Sequence, residues 1–232
     1  MDETDLAYHH TRLPFDAKRE VLWRTLWVHY FRRLVGPVDT VLELGAGYAH
    51  FINQVRCARR IAVDSWPGLK DYAEQGVLAH IGTVTDLSFL DDESVDFAFA
   101  SNLFEHLERS AFAEVLAQLA RKLKPSGSLT ILQPNYRYAY REYFDDYTHV
   151  TVFSDASLCD FLEAHQFRVV EARPAFLPLT VKSRWPVHPL LIRLYLASPF
   201  KPFAKQMLVR AVPGHSRTAA LPRAAGVGPP PP

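Results

Sequence analysis

At 232 residues the chain has room for one domain or two, and 48% hydrophobic against 22% charged residues allows a substantial buried core. A formal net charge of +1 gives no global electrostatic argument for nucleic acid and leaves only a local patch open, and no apolar run approaches the roughly 20 residues that span a bilayer. Cys57 and Cys159 have no close spacing and read as reduced thiols. The mixed-charge first thirty residues show no signal peptide, so a cytoplasmic location is expected.

Residues 1–15 form a polar arm whose paired histidines, His9 and His10, are expected to be solvated. From Asp16 to Leu34 the spacing of Trp23, Trp27, Tyr30 and Leu34 predicts a helix, stopped by Gly36-Pro37. Thr40 to Phe51, TVLELGAGYAHF, then reads as a buried parallel strand running into a glycine turn that opens a helix. Glycine suits such a turn because the bend is tight and a ligand can approach backbone that carries no Cβ. The dinucleotide fingerprint asks for a third glycine where His50 stands, so that ligand class is not expected. Arg60 to Asp64 is a second strand, and Asp64 lies 19 residues past Gly45. A carboxylate there can accept both hydroxyls of a ribose; the plainer alternative is a helix cap.

With Glu43, Gly45 and Gly47 in place, the chain resembles the class I S-adenosylmethionine-dependent methyltransferases, whose first motif is (D/E)xGxGxG. Ala49 replaces the third glycine. The resemblance implies an α/β fold, with a doubly wound, mostly parallel seven-stranded Rossmann-like sheet, helices on both faces and an antiparallel last strand. It implies S-adenosylmethionine as donor and S-adenosylhomocysteine as product. Glu43, Gly45, Ala46, Gly47, Asp64 and Ser65 are the implied cofactor residues around the turn. After a third strand at Val77 to Ile81, the loop Gly82 to Leu87 is similar to the family's GDAxDL. Thr83 stands where the adenine-binding acid would be, Val84 would offer its amide, and Asp86 matches the second acid.

Val95 to Ser101 is the fourth strand, and SNLFEHL across its end resembles the corresponding motif of small-molecule methyltransferases. Ser101 and Asn102 are expected at the cofactor, and His106 either lines the site or is structural. The (D/N)PPY element of enzymes that methylate planar nitrogens is absent from this position. Ser110 to Leu123 is a helix with Phe112, Val115, Leu116, Leu119 and Leu123 inward, and the helix dipole accounts for Arg121, Lys122 and Lys124. Leu129 to Leu132 is the fifth strand.

The run from Gln133 to His149 leaves the ligand-binding edge of the sheet, where such folds keep their specificity. Asn135, Tyr138, Arg141 and Tyr143 are expected to face the acceptor. Asp146-x-x-His149 resembles a DxxH element of bacterial methyltransferases from saccharide and natural-product pathways. Methyl transfer to a hydroxyl needs in-line alignment and loss of a proton, and imidazole is a suitable base. His149 is therefore expected as base, with Asp146, or else Asp145, behind it. Equally open is a structural pair that ties the loop down. No metal site is expected, Asp145, Asp146 and His149 being the one weak grouping.

Ser154 caps a helix to His165, Phe167 to Ala172 is the sixth strand, and Gln206 to Val212 the antiparallel one. Between them, residues 174–205 form a proline-rich insertion, read as a cap helix over the site or else as a basic amphipathic segment on a membrane near a lipid-linked substrate. Residues 213–232 are a Pro-rich tail that cannot build a core. The expected organisation is thus an arm (1–15), a methyltransferase domain (16–212) and the tail. The expected activity is O-methylation of a sugar, glycan or natural product. Methylation of a small amine, methylation of RNA or protein through Tyr136 to Arg141 with residues 182–205, and a non-catalytic cofactor-binding module are the rivals.

Overall fold

A computed structural model describes residues 15–178 and 187–214. His9, His10, residues 179–186 of the insertion and residues 215–232 of the tail lie outside them. Seven strands form one sheet: β1 (Thr40–Leu44), β2 (Arg59–Asp64), β3 (Val77–Ile81), β4 (Val95–Ser101), β5 (Leu123–Pro134), β6 (Phe167–Pro178) and β7 (Ala204–Pro213). Their spatial order is β3-β2-β1-β4-β5-β7-β6. Neighbours from β3 through β5 pair in parallel, while β7 runs antiparallel between β5 and β6. The order reverses between β1 and β4, and open α/β sheets bind ligands at the carboxyl ends of strands flanking such a switch.

Helix α1 (Ala17–His29) starts at Asp16, whose side chain accepts from the Lys18 amide. It is shorter than the spacing predicts, because Tyr30 leaves helical geometry and Phe31–Leu34 form a 3-10 turn. The remaining helices are α2 (Leu69–Tyr72), α3 (Arg109–Lys122), α4 (Tyr136–Ala139), α5 (Asp155–Ala164) and α6 (Pro189–Ala197). Ser154 caps α5 with a reciprocal Ser154–Ser157 box. Each face of the sheet carries its own core. Leu42, Leu44, Ile61 and Val63 point to the face covered by Phe112, Leu116 and Leu119 of α3 and Leu158 and Leu162 of α5. Val41, Phe97 and Phe99 point to the other, with Leu26 and Trp27 of α1, Phe31 and Phe51. The rings of Phe51 and Phe99 are 4.1 Å apart there, with Phe31 against both.

Three sequence expectations need correction. The glycine turn opens no α-helix; turns lead only to a 3-10 segment at Ile52–Gln54. Ala49 sits in the left-handed region at φ 56, which interrupts helical propagation after the bend. Strand β5 begins directly after α3, pairing Val95 with Leu123 and resuming at Phe97 with Ser128. Lys124, read as a dipole partner, instead bonds both carboxylate oxygens of Asp96 at 2.8 Å across that irregularity. Lys122 is buried and donates to the Leu90 carbonyl and to Asp92.

Helix α6 packs on α1, its Ile192, Tyr195 and Leu196 lying against the second core, while Leu190, Leu191 and Leu194 are exposed. No helix among the described residues is long and apolar enough to cross a membrane. Beneath this region the Tyr30 hydroxyl donates to Glu171 at 2.8 Å, and Arg173 bonds the same carboxylate at 2.6 Å. Burial and then the Glu171 bond push the Tyr30 phenol up to about 12. Tyr30→Phe is expected to cost about 1.5–3 kcal/mol, the worth of a hydrogen bond to a charged group, as read by denaturant unfolding.

Candidate active site

At the end of β1 the chain turns through Gly45 (φ 64) and Gly47 (φ 49), both left-handed. The amides of Gly45 and Ala46 donate to the Val63 carbonyl at 2.9 and 3.2 Å, which draws the turn over the end of β2. Asp64 closes the unit: one carboxylate oxygen accepts from the Gly47 amide at 2.7 Å, the other from the Trp66 amide at 2.8 Å. The turn and the strand-end acid are therefore a single hydrogen-bonded element. A carboxylate has acceptor capacity for about four hydrogen bonds, so these two amide bonds do not by themselves exclude a ribose diol. A Cβ on Gly45 would lie 2.8 Å from Leu103 Cδ1. Gly45→Ala is expected to lose about 1–2 kcal/mol of stability through the left-handed backbone alone, with weaker donor binding as Leu103 is displaced. Thermal unfolding and calorimetry with S-adenosylhomocysteine measure the two effects.

Glu43 acts on this turn from inside. Its side chain faces the second core, is only 4% exposed and accepts from the Ile52 amide at 2.9 Å. Burial holds its carboxyl well above the ordinary range. Ser65 is exposed beside Asp64. Next to it stands an aromatic wall that sequence reasoning missed: Trp66 packs edge-on against Tyr48 at 4.9 Å and is stacked with Tyr72 at 5.7 Å. The indole lies over Gly68, where a Cβ would approach within 2.2 Å of it. An aromatic residue two positions after the strand-end acid was the available signal. Along the same edge Thr83 is exposed and shares a hydroxyl bond with Thr85 at 2.8 Å, whereas the Val84 side chain belongs to the first core. Asn102 takes a left-handed φ of 49 at the end of β4. Its amide bonds the Leu132 carbonyl, its side-chain nitrogen reaches Ser101, and its side-chain oxygen accepts from Gln206 of β7.

The loop after β5 folds onto the turn after β4. The Glu105 carbonyl accepts from the amides of Val150 and Thr151 at 2.9 and 3.1 Å, and the Thr151 hydroxyl donates to the Leu107 carbonyl at 2.6 Å. These ties bring His106 and His149 together, with ring centroids 4.8 Å apart. His149 Nδ1 lies 2.6 Å from the Tyr143 carbonyl, which can only accept, so Nδ1 carries the proton. The Thr148 hydroxyl donates to Asp146 at 2.6 Å and therefore accepts from His106 Nδ1 at 2.9 Å. Asp146 is thus joined through Thr148 to His106, a link the DxxH spacing did not suggest. Burial would raise the Asp146 carboxyl, but the Thr148 bonds and the two imidazoles bring it below its ordinary value. Burial and then His149 push His106 down to about 4, which leaves it uncharged near neutral pH. Glu105, also missed, is fully buried beside them, and burial lifts its carboxyl to about 8.

Two expected acceptor contacts are corrected by burial. Asn135 is 0% exposed; its oxygen caps α4 at the Arg137 amide, and its nitrogen donates to Asp155 and the Pro174 carbonyl. Tyr143 is also 0% exposed and donates to the Thr151 carbonyl at 2.6 Å. Both therefore shape the loop instead of reaching into solvent. Arg141 is exposed and bonds the Tyr140 hydroxyl, while Tyr138 lines a cavity of about 940 Å³ with Arg173, Phe200 and Lys201.

Residues 42–131 match the family model described as a methyltransferase domain. With the sheet order and the glycine turn tied to a strand-end acid, this match supports S-adenosylmethionine-dependent methyltransferase activity for the domain that contains residues 42–131. The overall fold is similar to a structure of a Haloferax volcanii methyltransferase in complex with the Trm112 methyltransferase activator. That match has 20% identity and a TM-score of 0.67, covering 92% of this chain and 97% of that one. A SAM-dependent methyltransferase from Archaeoglobus fulgidus gives 21% identity and a TM-score of 0.64, over 91% of this chain and 100% of that one. The geranyl diphosphate C-methyltransferase of Streptomyces coelicolor, solved with Mg2+, geranyl diphosphate and S-adenosyl-L-homocysteine, gives 12% and 0.58, over 83% and 79%. No curated protein matches the sequence.

Proposed function

We propose that this enzyme methylates a hydroxyl of a small molecule, with a sugar, glycan or natural product as the acceptor class. The observation that carries the reading is the position and tautomer of His149, on the loop after β5 with Nδ1–H given to the Tyr143 carbonyl. That bond leaves Nε2 as the nitrogen that can take a proton. When bound, S-adenosylmethionine supplies a methyl group made electrophilic by its sulfonium. The Ala46 and Gly47 backbone and Asp64 would hold the donor at the switch point, and Trp66 and Tyr48 would shelter its adenosyl part. His149 has two tasks: it orients the acceptor hydroxyl, and it accepts that hydroxyl's proton at Nε2 as the oxygen attacks. His106 packs beside it, and Tyr143 fixes it from behind.

Methyl incorporation across a panel of free sugars, lipid-linked sugars and small amines tests the proposal. Label entering hydroxyl acceptors is the expected result. Label confined to amines would overturn it, and donor binding without any acceptor turnover would favour a non-catalytic module.

A further inference from the structure

We propose that Glu105, His106 and His149 form a binding site for one divalent transition-metal ion of the zinc class. One ligand atom from each of the three lies within 4.8 Å of the others. Glu105 is 0% exposed, and neither carboxylate oxygen has a hydrogen-bond partner among the described residues. A buried carboxylate in that condition is costly unless something else satisfies it, and a cation would.

The two imidazoles are already set for ligation. Histidines that bind metals usually give their other ring N–H to a carbonyl or carboxylate, which fixes the tautomer and orientation. Here His149 Nδ1 is held by the Tyr143 carbonyl and His106 Nδ1 by Thr148, itself bonded to Asp146. Both rings therefore carry the Nε2 lone pair when neutral. Two imidazoles and one carboxylate favour zinc, iron or cobalt over magnesium or calcium, which prefer all-oxygen shells. Metal–ligand bonds of about 2.0–2.2 Å bring donors to roughly 3.3 Å from one another, so the side chains need close by only about 1–2 Å. The backbone is already tied at the required place, since the amides of Val150 and Thr151 anchor the His149 loop on the Glu105 carbonyl. The residues grouped by geometry differ from the Asp145, Asp146 and His149 set considered from sequence. Glu105 and His106 replace the two aspartates.

In its chemical role this inference rests on the hydroxyl reading and changes how the proton leaves. A hydroxyl bound to the ion as a further ligand loses its O–H proton to solvent at lower pH than in water. Its oxygen then forms the bond to the methyl carbon while the carbon–sulfur bond breaks, its electron pair returning to sulfur. His149 holds the ion in that case and no longer takes the proton.

Metal uptake by the full chain, without donor or acceptor, is the test. Equilibrium dialysis with Zn2+ is expected to load one ion per chain, and Co2+ to give a visible spectrum without thiolate charge-transfer bands. Glu105→Gln should weaken Zn2+ binding at least about 100-fold, and Thr148→Val about 10-fold through the loosened His106. Retained S-adenosylhomocysteine binding confirms that each variant is folded, and the Thr148→Val series stands if Glu105→Gln is not. Absent uptake, or uptake unchanged in both variants, overturns the site. Chelated, metal-free protein that still methylates hydroxyls at full rate overturns the metal's role and leaves His149 as base. Site-specific uptake with no hydroxyl ever methylated keeps the metal site and overturns the proposed function.

Discussion

His149→Gln is expected to lower kcat on a hydroxyl acceptor by about 100- to 10,000-fold, the range for removing a general base, whether the imidazole takes the proton itself or holds the ion that eases its loss. S-adenosylhomocysteine affinity should stay within about twofold, because donor and acceptor sides rest on different elements. Glutamine is the informative replacement: it keeps a donor toward the Tyr143 carbonyl, now bonded at 2.6 Å, yet has no basic nitrogen. Loop collapse is therefore a poor explanation for lost turnover, and thermal unfolding checks it directly. The pH profile adds a second readout. A pH-dependent limb of the native rate that disappears in the variant belongs to His149, since burial and then His149 push His106 down to about 4. A variant that keeps nearly full turnover would point to an amine acceptor, whose neutral nitrogen needs little help losing its proton.

The parts of this fold that were legible in the sequence are those set by local pattern. Apolar runs ending in Leu44, Asp64 and Ser101 gave the parallel strands, and the bend at Gly45 and Gly47 required a residue without Cβ. What was not legible depends on contacts between distant segments. Nothing about alanine announces the left-handed backbone at Ala49, so the helix expected after it does not form. The early start of β5 and the long β6 are set by pairing with Val95 and with β7, partners remote in the chain. Glu105 is the clearest case. In SNLFEHL an acid reads as the polar side of a turn, whereas in the fold Glu105 is buried where the amides of Val150 and Thr151, remote in the chain, bond its backbone carbonyl. Asn135 and Tyr143 failed for the same reason, since a polar aromatic loop looks solvent-facing until its own hydrogen bonds fold it inward.

Asp64→Ala is expected to weaken S-adenosylhomocysteine binding by about 100- to 1,000-fold, since two hydrogen bonds to a charged acceptor are worth about 1.5–3 kcal/mol each and part of this is regained from water. The substitution does two things at once. It removes the ribose acceptor, and it releases the amides of Gly47 and Trp66, now bonded at 2.7 and 2.8 Å. A chemical cycle separates them. The 2′-deoxy analogue of S-adenosylhomocysteine should bind the native enzyme more weakly than the parent, by about tenfold or more for the one hydroxyl lost. Against Asp64→Ala the two ligands should bind alike, because the carboxylate that told them apart is gone. If the variant still discriminates between them as the native enzyme does, Asp64 serves the turn alone and the ribose is held elsewhere. If both affinities are unchanged, the donor does not sit at this end of β2, and the assignment of Gly45 to Gly47 as its cradle falls with it.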